Sequence, residues 1–247
     1  MLAVEQLVFS FPGRTVLAGV DLRLPPATIT CLMGGNGSGK TTLFNLLTGF
    51  LRPDSGSIRL DDTELIRRAP YQINRLGVAR TFQDLRLIGK LSVRENLLLA
   101  LPDHPGERLT RALLPSTIHA MRNREDQHQA TTLLADFFLA DVADHRADEI
   151  SYGQQKLLTL ACCVATGARL LLLDEPVAGI SPEYRERMAE RLANLRASGR
   201  TILLIEHQPD FLERVSGRFL FLEAGKLHQF ETFTELRAAP VAHAALN

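Results

Sequence analysis

Residues 34–41 read GGNGSGKT, a glycine-rich run that ends in lysine and threonine with the spacing G-x-x-x-x-G-K-[ST]. A strand-like run, TITCLM (28–33), leads into it, and a helical apolar pattern follows it. Glycines let backbone N–H groups wrap a phosphate, and the N-terminus of the following helix adds roughly half a positive charge. Gly34, Asn36, Gly37, Ser38, Gly39, Lys40, Thr41 and Thr42 then form the cradle. In it the Lys40 ammonium would neutralise β- and γ-phosphates, and the Thr41 hydroxyl would ligate Mg2+. The alternative is a turn that binds nothing; strand, loop and helix in register argue against it.

LLLLDEP (170–176) is a second chemical element, an apolar strand that ends in two carboxylates. Open α/β sheets bind ligands at that end of their strands. Asp174 would hold the metal shell. Neighbouring residues of an extended chain point to opposite sides, so Glu175 is read as the group that orients or activates an attacking water. DEP alone reads equally well as an acidic turn before Pro176. A third stretch, ISYGQQK (150–156), places serine, glycine and two glutamines where a long helix starts. Ser151 could cap that helix, and Gly153 permits close approach of a ligand. By itself this segment is better read as an ordinary helix cap.

Positioning these groups requires a framework of short buried strands. Candidate strands are residues 2–9, 28–33, 56–60, 77–83, 169–174 and 201–206, with a hairpin around Ala224-Gly225. LLLL and ILLI are continuous rather than alternating, which suits strands covered on both faces of a parallel sheet. Helical spacing runs through Leu43, Leu46, Leu47, Phe50 and Leu51, with Pro53, Ser55 and Gly56 as a stop. Ser92 and Glu95 form a capping-box pattern. Further stripes are Ala130, Leu133, Leu134, Phe137 and Phe138; Leu157, Leu160, Ala161 and Val164; and Tyr184, Met188, Leu192 and Leu195, the last opened by Ser181-Pro182. Residues 102–128, with three prolines and many charges, read as a loop with short helices. The expected architecture is α/β: a mainly parallel core sheet with antiparallel strands and an inserted helical subdomain. Its core would be residues 1–83 and 167–247, its insert 84–166.

The 247 residues suffice for a sizeable core, and 28 basic residues balance 28 acidic ones, so no overall basic footprint for nucleic acid exists. The apolar stretch 157–173 is interrupted by Gly167 and Arg169, short of the ~20 residues a membrane span needs. The N-terminus lacks the basic region of a signal peptide. Cys31, Cys162 and Cys163 show no CxxC spacing, which disfavours a zinc site or disulfide framework and suits a reducing cytoplasm.

Taken in order, GGNGSGKT, ISYGQQK and LLLLDEP resemble the ATP-binding subunits of ABC transporters, over essentially the whole chain. The fold this implies is the P-loop NTPase cassette. ISYGQQK is similar to the family's signature motif, usually LSGGQ, with Tyr152 in place of the first glycine. The resemblance implies that Gln83 in RTFQ touches Mg2+ or water and couples to a membrane subunit. It further implies that His207 in LLIEH contacts the γ-phosphate and that Phe11 stacks on adenine. Without it, Gln83 and His207 read as ordinary polar residues at strand ends. The resemblance also implies a head-to-tail dimer in which Ser151, Gly153 and Gln154 of one subunit close over ATP held by the other.

FNLLTGFLRPDSG, GVARTFQDLRL, Ser-Tyr-Gly-Gln-Gln and DEPVAGISP resemble the subgroup serving branched-chain or hydrophobic amino-acid importers; close relatives serve urea import and lipopolysaccharide export. Implied partners are transmembrane permease subunits, a second ATP-binding subunit of the same or another sequence and, indirectly, a periplasmic solute-binding protein, with no nucleic acid. The implied location is the cytoplasmic face of the inner membrane. Three departures stand out: Ser181 where Asp or Asn is usual, Gln208 where Asp is usual, and a tail with Glu231 in place of glycine and no final Leu-Gly. The rival readings are a soluble ABC ATPase of DNA repair, chromosome organisation or translation, and a P-loop kinase.

Overall fold

LLLL and ILLI become adjacent parallel strands, and their side chains divide between two apolar layers. The computed structural model describes residues 1–83, 85–102 and 116–242, residues 116–123 by backbone alone. A six-stranded sheet has the order β10-β9-β3-β8-β7-β6, made of β3 (Ile29–Met33), β6 (Val78–Arg80), β7 (Leu170–Asp174), β8 (Thr201–Ile205), β9 (Arg218–Glu223) and β10 (Lys226–Phe230). All its pairings are parallel except β9 with β10, the expected hairpin, where Ala224 and Gly225 both take positive φ. Leu170, Leu172, Leu203 and Ile205 enter one apolar cluster, and Leu171, Leu173, Ile202 and Leu204 the other. That alternation is the pleat of a sheet buried on both faces.

The first layer is closed by a four-stranded antiparallel sheet, β2-β1-β4-β5, formed by β1 (Leu2–Phe11), β2 (Arg14–Leu24), β4 (Ser55–Leu60) and β5 (Thr63–Glu64). β2 was not foreseen, because RTVLAGVDLRL has a central glycine and three charges; its buried residues nonetheless alternate over Val20, Leu22 and Leu24. Helix α1 (Lys40–Leu47) lies in this layer, burying Leu43, Phe44, Leu46 and Leu47. The helix is shorter than the expected stripe. Gly49 turns at φ 74°, Phe50 and Leu51 donate their N–H groups back to the Asn45 carbonyl, and Phe50 is left half exposed. The 77–83 run is likewise extended only over β6, after which residues 81–83 leave the sheet.

The second layer is closed by helices. Among the described residues, α3 (Val93–Ala100), α4 (Ser116–Asp136), a 3-10 turn (Ala140–Val142) and α5 (Tyr152–Ala165) fill the chain between β6 and β7. Val93, Leu97, Ala130, Leu134, Phe137, Leu157, Leu160, Ala161 and Val164 share one cluster with the sheet face. The Ser92–Glu95 capping box is made reciprocally at 3.1 and 2.7 Å. α4 runs through the second half of the stretch expected to be loop, and the expectation for 103–115 lies outside the described residues. α6 (Pro182–Ala197) buries Met188, Leu192 and Leu195. Ser181 occupies its N-cap position, but its side chain makes no capping hydrogen bond. Three short helices, α2 (Pro70–Arg75), α7 (Pro209–Val215) and α8 (Phe233–Ala238), escaped the sequence reading because six or seven residues hold too few turns for a periodic signal.

The parallel pairings bring the C-terminal ends of β3, β6, β7 and β8 to one edge of the sheet. Leu172→Ala, in the strand at the centre of this arrangement, is expected to cost about 2–5 kcal/mol through a cavity that the two packed layers cannot collapse. Urea denaturation of wild type and variant measures it.

Candidate functional site

The loop between β3 and α1 is wound by glycine, with positive φ at Gly34, Gly37 and Gly39. Gly34 has a steric reason as well. A Cβ there would lie 2.4 Å from the Leu222 carbonyl oxygen and 2.7 Å from Ser38 Oγ. Lys40 opens α1 and curls back, donating from Nζ to the carbonyls of Gly34 (2.7 Å) and Gly35 (3.0 Å). Burial lowers its pKa from the usual lysine value, while Glu175 and Asp174 pull it back up. Arg14 at the start of β2 reaches the loop, donating to the Gly37 carbonyl at 3.3 Å.

Asp174 ends β7 and is almost fully buried. Its N–H is donated to Thr81 Oγ1 (2.9 Å), and its Oδ2 accepts from Arg80 Nη2 at 3.2 Å, both side chains being over nine-tenths buried. Arg80 also donates to Asn45 Oδ1 on α1 (2.6 Å) and stands over the rings of Phe44 and Phe82. A buried carboxylate here therefore has a fixed counter-charge, which offsets the cost of taking it out of water.

Glu175 departs from the strand. Its φ is 48°, so its direction is set by a left-handed turn rather than by strand alternation, which corrects the reason first given for its separate role. Its Oε1 lies 3.9 Å from Nε2 of His207. Burial, with Lys40 second, lowers the His207 pKa below the ordinary histidine value, so the ring is neutral at pH 7. Glu206, only 2% exposed, accepts from the backbone N–H groups of Val177 (3.2 Å) and His207 (2.7 Å). Burial pushes its pKa up. It thereby joins the turn after Glu175 to the residue that carries the imidazole.

Phe11, Asn36, Gly37, Ser38, Gly39, Lys40, Thr41, Thr42, Gln83, Asp174, Glu175 and His207 line one concavity of about 390 Å3, together with Arg14, Val16 and Ile205. Gly34 lies behind the loop. Ser151, Gly153 and Gln154 do not line it; they form the first turn of α5, where Gln154 N–H is donated to Ser151 Oγ (3.3 Å) and Ser151 N–H to Gln154 Oε1 (2.9 Å). The capping reading of ISYGQQK is thus physically realised. A Cβ on Gly153 would meet the Tyr184 ring at 2.5 Å, so this glycine is needed for packing inside the chain itself.

The residues fit a nucleotide phosphate and a divalent cation. Ser38 Oγ is buried within the loop without a hydrogen-bond partner, as a donor reserved for an anion would be. The Thr41 hydroxyl, the Gln83 amide and the Asp174 carboxylate are hard oxygen donors lining that concavity, of the type suited to Mg2+. Among the described residues no three His, Cys, Asp or Glu cluster into a metal cage.

Arg80, Arg14 and Glu206 were missed by motif reasoning. Arg80 carried a signal, a lone cation inside the strand GVARTFQ that burial would force to find an anion.

Residues 17–178 match the family model described as ABC transporter. The high-affinity branched-chain amino acid transport ATP-binding protein LivG of Escherichia coli K12 is 38% identical over 226 residues, 91% of this chain and 89% of that protein. The corresponding protein BraF of Pseudomonas aeruginosa is 35% identical over the same shares. Among solved structures, an ATP-binding cassette of an ABC transporter in its ADP conformation superposes with a TM-score of 0.84 at 26% identity, covering 100% of this chain and 98% of that one. A nucleotide-free cassette gives 0.82 at 27%, covering 97% and 96%.

Two outcomes follow from the electrostatics. Arg80→Met leaves the Asp174 charge buried and alone and should destabilise the fold by about 3–5 kcal/mol, with Arg80→Lys intermediate, as read from denaturant midpoints. His207 has a folded pKa below its unfolded value, so the unfolded state binds more protons and stability falls as pH drops through about 6.5. Between pH 7 and 5, His207→Gln should flatten that fall in a urea titration series.

Proposed function

The chain belongs to the ABC transporter family as an ATP-binding subunit, and we propose that it hydrolyses ATP to drive import of a small solute, a branched-chain or other hydrophobic amino acid. The observation that carries the reading is the convergence of loop 34–42, Gln83, Asp174, Glu175 and His207 on one concavity. Relatives named for branched-chain amino-acid transport support the choice of solute. ATP binds with its phosphates in the 34–42 cradle and its base beside Phe11, whose ring is exposed and braced edge-on by Phe9 at 5.0 Å. Thr41, Gln83 and Asp174 hold Mg2+, which supplies charge neutralisation to the phosphates. Glu175 accepts a proton from the attacking water, and neutral His207 sits beside that carboxylate to contact the γ-phosphate. Lys40 and the backbone of the cradle stabilise charge that builds up as the terminal phosphate leaves.

The division into a nucleotide-binding core (1–83 and 167–247) and a helical subdomain (84–166) belongs to this reading. So does a head-to-tail dimer in which Ser151, Gly153 and Gln154 close over the opposite subunit's nucleotide. A cleft of about 300 Å3 beside Gln83, lined by Phe82, Arg86, Leu87, Ile88 and Leu99, is the proposed seat of a permease segment. Exposure of Ile88 and Leu99 supports it, since large apolar side chains at the rim of a cleft favour an apolar partner. Among the described residues no helix is long and apolar enough to cross a membrane; the chain sits on the cytoplasmic face against permease subunits, which take solute from a periplasmic binding protein.

Glu175→Gln is expected to lower ATP turnover by at least about 100-fold while leaving ATP binding in place. Release of free phosphate and binding of a fluorescent nucleotide measure the two. Turnover at the wild-type rate would sink the role of Glu175. In light scattering, the same variant should form an ATP-dependent dimer that Ser151→Arg abolishes; a dimer that tolerates Ser151→Arg removes the signature from the interface.

A further inference from the structure

The last residue of ISYGQQK has a use that a phosphate-binding helix start does not require. Lys156 sits on α5 one turn beyond Ser151 and is buried, at 6% exposure. Its Nζ donates to the backbone carbonyl of Glu175 at 3.0 Å, and the ammonium lies 5.6 Å from the centre of the Tyr152 ring. Among the described residues no ion pair involves it, and its one hydrogen bond goes to that peptide oxygen. That peptide belongs to a residue in the left-handed region, whose carbonyl otherwise accepts only a long 3.4 Å bond from Ala178 N–H. Two neighbouring contacts run the same way: the Tyr152 ring packs over Gly179, and Gly153 packs flat against Tyr184.

We propose that Lys156 is a positioning residue that ties the ISYGQQK helix to the Glu175 turn of the same chain, so that a signature engaged on a partner's nucleotide sets the carboxylate that works on this chain's own. The inference rests on the proposed hydrolytic role of Glu175 and deepens it. A charged donor is strong enough to hold an unfavourable peptide conformation, and it reaches that peptide from the helix whose N-terminus closes over the other subunit's nucleotide in the proposed dimer. Loss of the donor lets the turn relax, and small misplacements of a water-activating group are costly in rate.

The test measures kcat, KM for ATP, the affinity of a fluorescent ADP analogue and thermal unfolding on the full chain carrying Lys156→Met, Lys156→Gln or Lys156→Arg. Lys156→Met and Lys156→Gln should lower kcat by at least about tenfold while KM and nucleotide affinity stay within about twofold, and Lys156→Arg should restore most of the rate. Should the methionine variant fail to fold, the glutamine variant must show the same split. In a Glu175→Gln background, adding Lys156→Gln should change the residual rate less than about twofold, because both act through one group. A Lys156→Gln enzyme that turns over at the wild-type rate while Glu175→Gln is inactive overturns the tether and leaves the proposed function standing, as does an equal loss of nucleotide affinity and kcat. A wild-type chain that binds nucleotide and never releases phosphate overturns the function itself, and the tether with it.

Discussion

The turn after β7 holds a non-glycine residue at positive φ, and three hydrogen bonds to β8, to α5 and to Glu206 keep it there. Glu175 N–H is donated to the Ile205 carbonyl on β8, its own carbonyl accepts from Lys156 on α5, and Val177 N–H is donated to the Glu206 carboxylate. A left-handed conformation of a side-chain-bearing residue costs about 1–3 kcal/mol and persists only where its surroundings over-determine it. Here each bond comes from an element with its own reason to be in place: a central parallel strand, a capped helix and a buried carboxylate. The turn aims Glu175 into the concavity while Asp174, one residue earlier and still in the strand, is drawn toward Arg80.

That separation explains how two adjacent acids stand in different environments. Asp174 is held by a buried guanidinium that also grips Asn45 on α1, so the carboxylate at the end of β7 and the helix that follows the glycine loop are fixed relative to each other. Glu175 makes no such hydrogen-bonded ion pair among the described residues; the Lys40 ammonium is near it, and a neutral imidazole lies 3.9 Å away. One carboxylate is locked by its ion pair, and the other stands free of such a bond at the edge of the concavity. Phe82, stacked against the same Arg80, also lines the cleft beside Gln83. A contact in that cleft therefore bears on Arg80, and through it on Asp174.

The parallel sheet, the glycine loop and the acid pair were legible because each depends on local chemistry: continuous apolar runs, glycine where φ is positive, carboxylates at a strand end. β2 was not, since its apolar residues alternate around a glycine and become a strand only when β1 supplies a partner. The extent of α1 was misjudged because the stripe continues through Phe50 and Leu51, whereas Gly49 closes the helix and the last two apolar groups serve other contacts. Arg80, Glu206 and Lys156 share a different obscurity. Their functions lie in bonds to residues 94, 29 and 19 positions away, and nothing in their own neighbourhoods names those partners. Gln83 and His207 became candidates through family resemblance, and the structure brings both to the wall that Lys40 and Asp174 share.

The helix start at Ser151 carries two readings that are physically compatible. Its capping bond to Gln154 N–H is 3.3 Å, long for a serine oxygen, and the hydroxyl stays exposed. The hydroxyl also donates a long bond to Tyr184 Oη at 3.4 Å, so both of its contacts are weak, and the first turn of α5 adds N–H groups and the positive end of a helix dipole. The cap takes the Gln154 N–H and leaves those of Tyr152 and Gly153 ahead of it. What cannot be adjusted is the packing behind them, since Gly153 lies flat on Tyr184 and Lys156 is committed to Glu175. An anion brought to this turn by a second subunit would therefore meet a surface braced from within against the turn that carries Glu175, and force applied to one is resisted by the other.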